Sequence, residues 1–220
     1  MIKILRIEEN LLSENEKIAN EVRNILKKKK ILSLNIMGAP GSGKTTFIEK
    51  TIEILKGDFR FGVIEGDIEG KYDSEKLEKF NIPIIQINTG GACHLEANMV
   101  KNGILNLPLE DIDILIVENI GNLICPAEFD IGIEKNIIVS SITEGQDKVE
   151  KYPLMFKISH ICILNKIDLL PYIDFNIKKF EKDLKKISPQ INFIKLSSKT
   201  GENFNQWIEL LRKSMKEKRS

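Results

Sequence analysis

Between residues 38 and 45 the chain reads GAPGSGKT. Glycines at 38, 41 and 43 allow the backbone to curl until its amides face inward, the geometry that cradles a polyphosphate. Lys44 then reaches the β- and γ-phosphates, and the Thr45 hydroxyl binds Mg²⁺. With Ser42 and Thr46 beside them, Gly38, Gly41, Gly43, Lys44 and Thr45 form the candidate phosphate-binding set. Two acidic residues stand where apolar runs stop: Asp67 in VIEGD and Glu118 in LIVENIGNL. A carboxylate there can hold Mg²⁺ directly or through water, or it can simply be a turn or cap residue. Asp73, between them, is a candidate for orienting an attacking water.

Further on, NKID (165–168) follows HICIL. An aspartate at position 168 can accept two hydrogen bonds from the N1–H and exocyclic amine of guanine, a donor pair that adenine lacks. Asn165 and Lys166 would hold this loop and cover the base. SSKTG (197–201), with Ser198 and Lys199, can close over the base with backbone amides. Together these stretches favour GTP over ATP.

A second chemistry is written at GGACHLE (90–96), where Cys93 and His94 are adjacent in a chain of three cysteines and two histidines. From the residues alone, three readings stay open. A thiolate and an imidazole suit Zn²⁺ or Ni²⁺. A catalytic dyad is disfavoured, since adjacent residues rarely face each other as nucleophile and base. A small cysteine is also common core filler. Cys162, inside an apolar run, is read as core. His160 is read as structural or surface, and Trp207 as helix packing.

The elements that position these residues follow from periodicity. Short apolar runs at 31–37, 59–66, 82–88, 112–119, 136–143, 160–166 and 191–198 read as buried strands, and helix-compatible segments separate most of them. That alternation predicts an α/β fold: a mostly parallel sheet with helices on both faces. Ligands of such sheets bind outside the carboxyl ends of the strands, where every motif above falls. A helix should start near Gly43. Another is expected over 13–30, with Ser13 and Glu16 as its capping box and Ile18, Val22, Ile25 and Leu26 as its apolar stripe. Cys93 and His94 are expected at a helix start.

Composition bounds the rest. The 220 residues, 42% of them hydrophobic, suffice for one core, so a single P-loop domain over 1–220 is expected, with an N-terminal helix (1–30) packed on it. Lysine plus arginine (33) nearly cancels aspartate plus glutamate (32), for a net charge of +1. No bulk attraction to nucleic acid or membrane is expected. The basic runs at 27–30 and 213–220 read as solvated helix ends. No apolar run approaches the roughly 20 residues that span a bilayer, and three cysteines do not make a disulfide framework. A cytoplasmic location is expected.

GAPGSGKTT, EGD, QINTGGACHLEA, VENIGNLICPAEFDIG, SITEGQDKVEKYPLMF, NKIDLLPY and SSKTGE occur in the order seen in the hydrogenase nickel-incorporation GTPases of the HypB family, which the chain resembles from about residue 15 to its end. The resemblance implies a P-loop NTPase fold of the SIMIBI (signal-recognition-particle-like) class. It implies a dimerising GTPase that assists nickel delivery to [NiFe]-hydrogenase, beside a zinc-containing partner that carries nickel and acting on the hydrogenase large subunit. It also implies a metal site from Cys93, His94 and Cys125. Three protein ligands leave a coordination position open, which suits a site shared across a homodimer or one that hands its metal on. Cys125 lies seven residues after Glu118, a tether of at most roughly 25 Å, so a nucleotide-driven movement of this segment would move a metal ligand. Some relatives carry an N-terminal cysteine motif or a histidine-rich store, whereas residues 1–92 here contain neither residue type. With Arg60 and Arg212 away from every motif, no arginine finger is in view, and slow intrinsic turnover is expected. Two alternatives remain: the related urease accessory GTPases, which usually separate the cysteine and histidine by one residue, and a regulatory P-loop GTPase whose cysteines are core.

Overall fold

The computed structural model describes residues 7–67 and 76–219, with side chains from Leu12 onward. Seven strands form one sheet in the order β3-β2-β4-β1-β5-β6-β7. They are β1 (Leu32–Met37), β2 (Phe61–Asp67), β3 (Ile84–Asn88), β4 (Ile114–Glu118), β5 (Lys135–Ser141), β6 (Ile161–Asn165) and β7 (Asn192–Lys195). Every pairing is parallel, and each of the seven apolar runs became one strand. The central strands β1, β4 and β6 are buried along their whole length. That is why they read as continuous apolar runs rather than alternating ones.

Residues alternate between two covered faces. Leu34, Ile36, Ile116 and Val139 pack with Phe47 of helix α2 (Lys44–Leu55) and Trp207 of the helix Phe204–Arg219. Trp207 is core, as its sequence suggested: its ring lies 5.1 Å from that of Phe47 and its Nε1 donates to Thr51 Oγ1 at 2.9 Å. Burying a side chain of this kind contributes about 1.5–3 kcal/mol. The opposite face is covered in two patches. Ile64, Leu115 and Val117 meet Val22 and Leu26 of α1 (Ile7–Lys28) and Val100 and Ile104 of α3 (Ala97–Leu105). Ile138, Cys162 and Leu164 meet Met155, Phe156, Phe180 and Leu184. Cys162 is fully buried, and burial pushes its thiol pKa up.

Helix α1 corrects one expectation. It already runs from Ile7, so Ser13 is an interior residue and not a cap. Nothing in IEENLL breaks a helix, and the capping-box spacing was a coincidence inside a longer one. Its predicted stripe is right in phase: Val22 and Leu26 are buried, Ile18 and Ile25 half-buried. The helix closes on the loop before β5 so tightly that a Cβ on Gly132 would meet the Ala19 carbonyl at 2.3 Å. No helix among the described residues is long and apolar enough to cross a membrane.

Candidate active site and metal centre

The sheet order puts β1 between β4 and β5, so the turn leaving β1 lies beside the acidic end of β4. At Gly38 a Cβ would stand 2.2 Å from the Val139 carbonyl oxygen, and Gly43 caps α2 in the left-handed region at φ 95°. Both positions therefore require glycine. No carboxylate occupies the first turn of α2 and no side chain caps it, which leaves its amides and the positive end of its dipole to an anion. Lys44 and Thr45, the first two helical residues, are each 8% exposed. Lys44 Nζ lies 3.3 Å from the carbonyls of Gly38 and Ala39. The Thr45 hydroxyl donates to Glu118 Oε1 at 2.9 Å.

These residues open into a cavity of about 500 Å³, lined also by Gly41, Thr46, Asp67 and Lys166. Thr45, Asp67 and Glu118, chosen from sequence as Mg²⁺ candidates, thus all line this cavity. Asp73 lies outside the described residues. Sequence reasoning missed Glu65, Lys76 and Asn119, which line the same cavity. Glu65 is 3% exposed and is the register partner of Glu118. A charged residue inside an apolar strand was the available signal.

The NKID and SSKTG loops converge through Asn165. Its Nδ2 donates to the Ser42 carbonyl at 3.0 Å, and its Oδ1 accepts from the amides of Lys166 (2.8 Å) and Ser198 (3.0 Å). One buried amide thus fastens phosphate loop, NKID and SSKTG together. Lys166 takes a left-handed conformation and its Nζ donates to the Gly41 carbonyl at 2.6 Å. Asp168 Oδ1 is buried and accepts no hydrogen bond among the described residues, which suits a carboxylate that awaits a ligand donor. Ser198 is buried and Lys199 exposed in the adjoining turn.

The cysteines and one histidine also meet. Cys93 Sγ lies 2.8 Å from Cys125 Sγ and 3.6 Å from His94 Nδ1, and the three ligand atoms fall within 4.8 Å of one another. Cys125 opens the short helix α4 (Cys125–Glu128). Cys93 and His94, expected at a helix start, lie in a bend just before α3. The His94 ring stacks on Phe129 with centroids 4.0 Å apart. Burial lowers its pKa, against the pull of Glu96 and Glu128, a shift toward the neutral form in which imidazole binds metal. The hydrogen bond from Cys93, and burial after it, raise the Cys125 thiol. The N-terminus of α3 is closed from outside: Ala97 N donates to Asn15 of α1 at 2.9 Å, and the Asn15 amide donates to the Asp130 carbonyl at 2.7 Å. Cys162 has no part in the cluster. His160 is exposed and accepts from Asn136 N at 3.0 Å, a structural role as expected.

The model of the CobW/HypB/UreG nucleotide-binding domain matches residues 32–195. A probable hydrogenase maturation factor HypB of Methanocaldococcus jannaschii is 42% identical over 217 residues, which cover 99% of this chain and 98% of the relative. The crystal structure of the hydrogenase maturation factor HypB from Archaeoglobus fulgidus superposes with a TM-score of 0.87 at 38% identity, covering 93% of this chain and all of that one. HypB from Helicobacter pylori in complex with nickel superposes with a TM-score of 0.88 at 36% identity, covering 93% and 96%.

Proposed function

This chain belongs to the CobW/HypB/UreG nucleotide-binding family, within it to the hydrogenase maturation factors HypB, and from that premise we propose that it is a GTP-hydrolysing metallochaperone. It converts GTP and water to GDP and phosphate, and it assists nickel insertion into a hydrogenase through a Cys93–His94–Cys125 site whose affinity follows the nucleotide. The observation that supports this best is the segment from Glu118 to Cys125. It begins at Glu118, which accepts from the hydroxyl of Thr45, and ends at Cys125, one of three residues close enough together to hold a metal ion.

The roles follow from chemistry. The backbone N–H groups of residues 41–46 and Lys44 offset the charge that gathers on the transferring phosphoryl group. Thr45, Asp67 and Glu118 present only oxygen donors, which fits a hard divalent cation such as Mg²⁺; that ion, when bound, neutralises charge shared by the β- and γ-phosphates. Asp168 accepts from the guanine edge while Asn165, Lys166, Ser198 and Lys199 shape its slot. Asp73 remains the candidate for holding the attacking water. Arg60 is engaged by Asp111 and Asp113, and Arg212 by Asp58. Neither lines the cavity, so intrinsic turnover is slow, below about 1 s⁻¹.

The two soft sulfurs and one imidazole suit Ni²⁺ or Zn²⁺ as cargo. A fourth ligand would come from a second copy of the chain in a GTP-dependent homodimer, or from the zinc-containing, nickel-carrying partner or the hydrogenase large subunit that exchanges metal with it. Titration of Ni²⁺ and Zn²⁺ into the protein with GDP and with a non-hydrolysable GTP analogue, read together with its mass in solution, tests the reading. Affinity that depends on Cys93, His94 and Cys125 and changes with nucleotide supports it. Metal binding that ignores both would leave a nucleotide-hydrolysing protein without the delivery role.

A further inference from the structure

The tether from Glu118 to Cys125 has a joint in its middle. Asn122 pairs through its backbone with Gly38, in an isolated antiparallel bridge that attaches the tether to the first glycine of the phosphate loop. One residue earlier, Gly121 lies so close to that loop that a Cβ would meet Pro40 N at 3.0 Å. The Asn122 side chain points the other way, into the metal cluster. Its Nδ2 donates to the Cys93 carbonyl at 3.3 Å, and its Oδ1 accepts from the amide of Ile124, the residue before Cys125, at 2.9 Å. Asn119 works one layer deeper: its Oδ1 accepts from Leu95 N at 3.2 Å, and its Nδ2 donates to Asn35 at 3.3 Å.

We propose that Asn122 is the positioning residue that transmits the conformation of the phosphate loop to the metal ligands. Its backbone follows Gly38, and its side chain carries Cys93 and Cys125 with it. The inference rests on the nucleotide-gated reading above and adds the element that does the gating. Cys93 and Cys125 reach the cluster from two different turns, and their sulfurs meet only if the turns keep register. The Asn122 amide is the described bond joining the Cys93 backbone to the turn that leads into Cys125. A shift of the loop at Gly38 therefore rotates the amide that sets their spacing. Partners outside the ligand set hold ligands in place, and their loss costs about 10–100-fold in metal affinity.

Two substitutions separate this role from simple support of the turn. Asn122→Asp keeps an oxygen for Ile124 N but removes the donor to Cys93. Asn122→Ala removes both. Ni²⁺ affinity is measured for each, at saturating GDP and at saturating GTP analogue, so that changed nucleotide affinity does not enter. The expected result is that both variants bind Ni²⁺ about 10–100-fold more weakly and that their affinities become equal in the two nucleotide states. A merely structural residue would lower both affinities and leave their ratio intact, and that result in Asn122→Asp overturns the proposal. Equal affinities in the wild-type protein would instead sink the nucleotide-gated reading itself, and this inference with it.

Discussion

At the phosphate loop the polar side chains are tied down. Asn165 joins three loops, Thr45 is bonded to Glu118, and Ser42, Lys44, Thr45, Glu118 and Asn165 are all buried. At the cysteine–histidine cluster, on the same edge of the sheet, Cys93 is exposed, Cys125 half-buried, and the ligands sit on a bend and a four-residue helix. A polyphosphate brings high charge and has to be met by donors already fixed in place. A metal that is passed on needs ligands that can part. The difference matches a site that retains its ligand through a chemical step beside one that gives its ligand away.

The comparison breaks most readily on the rigid side. Lys44→Ala should lower single-turnover GTP hydrolysis by about 10²–10³-fold, as removing one preorganised donor does, while Ni²⁺ affinity with GDP bound stays near the wild-type value. Loss of both together would mean that the two sites are not separable. On the open side, Cys93→Ala with Cys125→Ala should weaken Ni²⁺ binding by more than about 100-fold, beyond the range seen for outer partners, with GTP affinity retained; calorimetry reads both. Asp168→Ala should cost GTP about 10–150-fold in affinity, the worth of hydrogen bonds to a charged group. It should also narrow the preference for GTP over ATP in a competition assay. An unchanged preference would remove guanine from the argument.

The smallest effect concerns Glu144, after β5, whose pKa burial raises against the attraction of Lys148. A raised folded-state pKa means that the folded protein holds this proton longer than the unfolded chain. Stability from that group is present at acid pH and is lost as pH climbs through the ordinary carboxylate range and beyond. Glu144→Gln keeps an acceptor for Ser141 N, which now donates to Glu144 at 3.1 Å. The variant should melt above wild type at pH 7 and with it near pH 4. A gap that is constant with pH would show that burial does not raise the Glu144 pKa.

Much of this was legible in order along the chain. Seven apolar runs became seven strands because a parallel sheet covered on both faces demands uninterrupted hydrophobicity. GAPGSGKT and NKID announced themselves because turn geometry is a local property of consecutive residues. Ser13 misled because a capping signature is also local, and only the preceding residues reveal whether a helix has already begun. Glu65 was passed over because Asp67 two residues on lies closer to the strand end; what makes Glu65 part of the cavity is its neighbour Glu118, more than fifty residues away in sequence.

What the sequence determined by itself is therefore the set of candidate groups: a phosphate-binding turn, an aspartate proposed for guanine, and two thiols with an imidazole. Tertiary structure decided their connections. That β4 lies beside β1, that Asn165 reaches Ser42, that Asn15 closes α3 and that Asn122 links Gly38 to Cys93 are all contacts between distant residues. Periodicity carries no record of strand order or register, because any buried strand satisfies the same pattern; only the packed sheet chooses which ends become neighbours.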